Sequence, residues 1–144
     1  MTRILLDVNL ILDVLLDRRP HAEAASLVWE AVETGRADGF LSAHAVTTIH
    51  YLNARAVKAA TARETTTALL SVFSVAPVDE SVLGEASALG WPDFEDAVTA
   101  SAARAAECDA LVTRNPRDFK RSPVRVITPG QAAAWLWGAG AARA

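Results

Sequence analysis

The feature that most restricts the fold is a repeated juxtaposition in which a short apolar run leads directly into a segment with helical spacing. Arg3 to Leu6 reads as a buried strand, and from Asn9 to Leu16 the apolar residues fall at positions 11, 12, 15 and 16. Phe40 and Leu41 repeat the design: Ser42 is a candidate cap, and Val46, Ile49 and Leu52 follow on one helical stripe. Near the end, "DALVTRN" and "VRVIT" read as two more strands, and "PGQAAAWLW" as a helix with Pro129 in its first turn.

Between these pairs the spacing predicts helices over His21–Glu33, ended by Gly35, and over Thr61–Phe73. There follow a short apolar stretch "FSVAPV" and a small helix from about Asp79. "WPDFEDAVTASAARAAE" places Phe94, Ala97, Val98, Ser101, Ala102 and Ala105 on one stripe, an Ala-rich face able to pack closely on a sheet. Strands this short and apolar, alternating with helices, belong to a parallel sheet covered on both faces, so the fold class is α/β.

With 144 residues the chain is of single-domain size, and one domain is expected over residues 1–137, with the Ala/Gly-rich segment 138–144 fraying. No apolar run is long enough to cross a bilayer. Asp7, Asn9, Asp13 and Asp17 interrupt the opening stretch, so a secretory leader is not expected and cytoplasmic residence is the default expectation. The lone Cys108 has no partner for a disulfide or thiolate metal site and reads as a packing residue. A formal net charge of -3 argues against a generally basic, duplex-coating surface, so local charge must decide.

In open α/β sheets, sites form beyond the carboxyl ends of the strands. The residues there are Asp7 and Asn9 after the first strand, Ser42 and then Thr47 and Thr48 after the second, and Asn115 and Asp118 after "ALVT". Asp93 and Asp96 open the Ala-rich helix on neighbouring positions of one face. Carboxylates gathered without compensating cations raise one another's pKa, unless a hard divalent cation takes up the charge. Mg²⁺ or Mn²⁺ suits this Asp, Asn and Thr set. Beside the acids, Arg114, Arg117, Lys120, Arg121 and Arg125 cluster in an otherwise acidic chain, as a phosphate-backbone track requires.

These residues resemble the PIN-domain family of nucleases, and in particular VapC-like ribonuclease toxins. "LLDVNLILDVLLDR" is similar to the family's opening "LLDTNVLLD" pattern, "DFEDAV" to its helix-borne acid motif, and "ALVTRNPRDF" to its closing "TRNxxDF" motif. The resemblance implies a PIN-like three-layer α/β/α fold with four to five short parallel strands. It makes Asp7, Asp96 and Asp118 metal-binding, with Asp93 beside them as a further catalytic acid and with Asn9, Thr48, Thr113 and Asn115 in support. Arg114, Arg117 and Lys120 become RNA contacts. It also implies metal-assisted cleavage of RNA, a homodimer, and a cognate antitoxin for which Trp29, Trp91, Trp135 and Trp137 are candidate contacts. One departure stands out: Thr47-Thr48 replaces the family's Thr-Glu pair, so Thr48 occupies the acid's place and removes one charge.

Plainer readings stand beside these. Asp7 and Asp93 suit helix caps, Asp96 the first turn of a helix, and Asp118 the turn after Asn115-Pro116. Asp13, Asp17 and Glu95 read as solvated helix-face residues, and His21 as exposed. His44 and His50, six apart, do not align as ligands. The basic cluster reads equally as a solvated face. Ser42 lacks a nucleophile-elbow pattern, and no phosphate-cradling glycine motif occurs. Two rival functions remain. One is a weakened PIN-fold module that binds RNA or protein, motivated by Thr48. The other is an α/β phosphatase, for which "DVN" lacks the second acid.

Overall fold

The computed structural model describes residues 1–138. The segment expected to fray, apart from Gly138, lies outside the described residues. Strand β1 (Arg3–Leu6) is followed by helices α1 (Val8–Leu15) and α2 (His21–Glu33). Strand β2 (Asp38–Ser42) then leads into α3 (Ala43–Ala54) and α4 (Ala59–Val72). Strand β3 (Ser74–Ala76) precedes α5 (Glu80–Leu89) and α6 (Phe94–Ala105). The chain closes with β4 (Ala110–Val112), a 3-10 turn (Pro116–Phe119), β5 (Arg125–Ile127) and α7 (Pro129–Trp137).

The five strands form one sheet in the order β3-β2-β1-β4-β5, and every pairing is parallel. β1 is central. Its register aligns Ile4 with Gly39 and Ala110, and Leu5 with Phe40 and Leu111. Side chains alternate across a strand, so each face collects its own core. On one face Ile4, Leu6, Leu41 and Val112 pack with Leu10, Ile11, Val28 and Ile49 from α1, α2 and α3; on the other, Leu5, Phe40 and Leu111 meet the alanines of α6. The result is a three-layer α/β/α arrangement.

The small side chains of α6 are what allow that helix to lie flat on the sheet. Ala97, Ala100, Ala102 and Ala103 are all buried. Two terminal devices fix neighbouring helices: Gly90 caps α5 in the left-handed conformation at φ 66, and Thr128 with Gln131 forms a reciprocal capping box at α7.

Several local expectations shift. The helix expected from Thr61 begins at Ala59, and that expected from Asn9 begins at Val8, because Asp7 rather than a later residue is its cap. Ser42 makes no side-chain cap bond; its hydroxyl is fully buried and without a partner, since α3 starts directly from the last residue of β2. Among the described residues no helix is long and apolar enough to cross a membrane.

Gly39 sits where β2 passes under α2 and the end of α4. A Cβ there would lie 2.7 Å from both Val32 methyl carbons and 2.8 Å from the Phe73 ring. Neither neighbour is a flexible chain end. Gly39→Ala is therefore expected to cost about 2 kcal/mol through overpacking, seen as a lower urea midpoint at unchanged m-value.

Candidate active site

The direction of the chain reverses between β1 and β4: from β1 it proceeds to β2 and β3 on one side, and later returns to β4 and β5 on the other. Such a reversal opens a crevice at the carboxyl ends of the strands on either side. Asp7 follows β1 and Thr113 follows β4. The Asp7 backbone N–H donates to Val112 O at 3.0 Å, which extends the β1–β4 pairing one residue beyond the strand.

Both Asp7 oxygens are held. Oδ1 accepts from the Val8 N–H at 2.9 Å, which caps α1, and Oδ2 accepts from the Thr113 hydroxyl at 2.9 Å. Thr113 is fully buried, and its oxygen in turn accepts from the Asn115 N–H at 3.1 Å. Cap and site are one geometry here, because the side chain that caps α1 also faces the crevice. Each oxygen accepts one bond and so keeps free lone-pair capacity.

Helix α6 delivers the second group of acids. Asp93 caps it, accepting from the Asp96 N–H at 3.1 Å, and Asp96 occupies the first turn. Asp118 arrives on the 3-10 turn after β4. One cleft of about 310 Å³ is lined by Asp7, Asn9, Thr48, Asp93, Asp96, Asn115 and Asp118, together with Arg18 and Glu95. A neighbouring cavity of about 370 Å³ shares Asp93, Asp96 and Asp118 and adds Arg117, Lys120 and Trp91. The three shared aspartates thus line both cavities, and the second places two cations beside them.

Crowding shows in the acids. Burial raises the Asp7 carboxyl above its usual value, against the hydrogen bonds from Thr113 and Val8, and the charges of Glu95 and Asp118 add to the rise. Asp96 is pushed up to about 7, first by burial and then by Asp93, Asp7, Asp118 and Glu95. Among the described residues no group of three or more His, Cys, Asp or Glu side chains is placed so that it could hold a metal ion. The donor set is nonetheless all oxygen, crowded and negative. That suits a hard cation such as Mg²⁺, which uses one or two carboxylates and keeps several waters.

Arg114, expected among RNA contacts, turns inward. Its Nε lies 3.5 Å from Asp13, whose other oxygen is 3.7 Å from Arg18. Asp13 itself is 1% exposed, so its reading as a solvated residue is corrected. The signal was available: α1 is apolar on nearly all sides, with Leu10, Ile11 and Leu12 buried, so a carboxylate within it has little solvent to face. Asp17 and His21 are exposed as expected.

Glu95 was also read as solvated. Its side chain is 60% exposed, yet it lines the acidic cleft, accepts from the Thr48 hydroxyl at 3.4 Å and lies 4.0 Å from His44 Nε2. Burial lowers the His44 pKa, which keeps the ring neutral near pH 7. The tryptophans mostly pack. Trp29 stacks edge-on against Phe73, Trp91 against Phe119, and Trp137 donates to Leu27 O at 2.8 Å beneath Arg36. Trp135 is the exposed one.

A family model described as the PIN domain matches residues 3–117. No curated protein matches the sequence. Among solved structures, DNA-bound VapBC from Salmonella typhimurium aligns with a TM-score of 0.69 at 19% identity, covering 90% of this chain and 99% of that one. A toxin-antitoxin complex from Klebsiella pneumoniae gives 0.66 at 23% identity, with 88% and 97% covered. VapC20 from Mycobacterium tuberculosis, a sarcin-ricin loop cleaving toxin, gives 0.62 at 16% identity, with 75% and 86% covered. At these identities the likeness is one of fold.

The raised Asp96 pKa has a consequence for stability. Unfolded, the group loses its proton near 3.8; folded, near 7, so between these values the folded chain binds the extra proton. Stability therefore falls as pH rises through that window and levels off above it. In chelator, the Tm of the wild type is expected to drop between about pH 4 and 7, and Asp96→Asn to flatten that drop, measured by scanning calorimetry. An equal slope in both proteins would show that Asp96 carries no such shift.

Proposed function

The chain belongs to the PIN domain family, and on that premise we propose that it is a divalent-metal-dependent endoribonuclease acting as the toxin of a toxin-antitoxin pair. The observation that carries the reading is the meeting of Asp7, Asp96 and Asp118, from three separate parts of the sequence, in one cleft at the reversal of the sheet. Asp7, Asp96 and Asp118 would hold Mg²⁺ or Mn²⁺, with Asp93, Asn9, Thr48, Thr113 and Asn115 in support. When bound, the cation supplies charge neutralisation at the scissile phosphate and activation of the attacking water.

The remaining roles fall to the chain. Thr113 and the Val8 N–H fix the orientation of Asp7, so its carboxylate is positioned before substrate arrives. Asp93 fixes the first turn of α6 and with it Asp96. Arg117 and Lys120, beside the shared aspartates, bind the sugar-phosphate strand on either side of the cut. Arg114, tied to Asp13, supports the RNA-binding rim by fixing the loop that carries Asn115 and Asp118. The toxin-antitoxin assemblies among the structural neighbours support an antitoxin partner, for which exposed Trp135 is a candidate contact; a homodimer and cytoplasmic residence are part of the same proposal.

Thr48 favours a second reading, in which the protein binds RNA or a partner without turning RNA over. Cleavage separates the two. Purified protein with Mn²⁺ is expected to cut RNA, and Asp7→Asn or Asp96→Asn to slow cutting about 100-fold or more without loss of the fold. Undiminished cutting in excess chelator would exclude the metal-dependent mechanism, and RNA binding without cutting would establish the second reading.

Cation contacts have their own readout. Lys120→Gln is expected to weaken binding of single-stranded RNA across all sequences. It should also reduce the slope of log affinity against log salt by about 0.7, measured by fluorescence anisotropy.

A further inference from the structure

The departure at Thr48 leaves the acidic cleft one carboxylate short on α3, and the residue it touches stands on another helix. Thr48 Oγ1 lies 3.4 Å from Glu95 Oε1, and both residues line the cleft with Asp7, Asp96 and Asp118. A glutamate at position 48 would carry its carboxylate two bonds, roughly 2.5 Å, beyond the point where the threonine hydroxyl ends. Glu95 already places an oxygen in that region from the opposite side.

We propose that Glu95 supplies the carboxylate that Thr48 lacks, so that the fourth acid facing the cation enters from the first turn of α6 rather than from α3. The proposal rests on the metal-dependent reading above. Three observations give it direction.

Asp93 is committed as the cap of α6 through the Asp96 N–H, so the remaining acid of that helix lining the cleft besides Asp96 is Glu95. The neighbours that contact it are weak and directional: the Thr48 hydroxyl, whose single proton is shared with His44 O at 3.3 Å, and the His44 ring at 4.0 Å. Among the described residues the His44 ring is the one basic side chain within 4.0 Å of its carboxylate, so no lysine or arginine draws it away from the cleft. Threonine at 48 is then a hydroxyl that orients a neighbouring acid, and a glutamate in its place would put two carboxylates against each other.

The pairing makes charge transferable between the two positions, which a solvated Glu95 would not. Mn²⁺ affinity of the full chain, measured by isothermal titration calorimetry, is expected to fall roughly 10-fold in Glu95→Gln. In the double variant Thr48→Glu with Glu95→Gln it should return to within about 3-fold of wild type. Because Glu95 is largely exposed, Glu95→Gln keeps the wild-type urea midpoint. Glu95→Gln that binds Mn²⁺ as wild type does would overturn the proposal while leaving the metal-dependent reading intact. A loss in Glu95→Gln that the double variant does not restore would overturn it as well. Wild type that binds no Mn²⁺ would instead remove the metal-dependent reading, and this inference with it.

Discussion

The hydrogen bond from Thr113 to Asp7 joins the two halves of the sheet at the point where its strand order reverses, and the site is organised around it. Its donor is fully buried behind β4 and its acceptor caps α1 at the end of β1. A hydroxyl donor offers a proton without a charge, so it orients the carboxylate but does not neutralise it. Asp7 thereby stays negative in demand while fixed in place. The same two strands carry the buried Leu5 and Leu111 below, so the precision of the site is inherited from the packing of the sheet.

Around this bond the protein accumulates negative charge that its own side chains do not balance. Asp96 illustrates the cost, with its carboxyl pushed up to about 7 by burial and by four neighbouring acids. Charges that repel in the folded state are relieved by taking up a proton or by a cation from outside the chain. The cations that the chain does own are arranged at a remove. Asp13 draws Arg114 and Arg18 toward one side, and Arg117 and Lys120 stand in the neighbouring cavity. An acidic floor with a basic border would suit the cation and the phosphate strand of the proposed function.

Much of this was legible in the residues. The alternation of apolar runs with helical spacing gives the parallel α/β sheet, because short strands buried on both faces need no polar alternation. The strand-end positions of Asp7, Asn115 and Asp118 follow from the same pattern, and Asp93 and Asp96 from the start of the Ala-rich helix. Three residues resisted. Asp13 looked solvated because a single acid on a helix usually is, whereas here α1 is enclosed by α2, α3 and the sheet. Arg114 looked like part of a basic surface because charge clusters carry no direction. Glu95 looked like an ordinary first-turn acid, and its proximity to Thr48 spans 47 positions of sequence.

The chain by itself determined which elements form, how they alternate, and which acids lie at strand ends, since these depend on local periodicity and on backbone preferences a few residues long. Tertiary structure alone decided which of the acids face one another. Convergence of residues 7, 48, 95, 96 and 118 depends on the order β3-β2-β1-β4-β5 and on the depth at which α6 seats against the sheet. Those are set by the summed packing of side chains distant in sequence, and Coulomb interactions among the acids act only once that packing has brought them together.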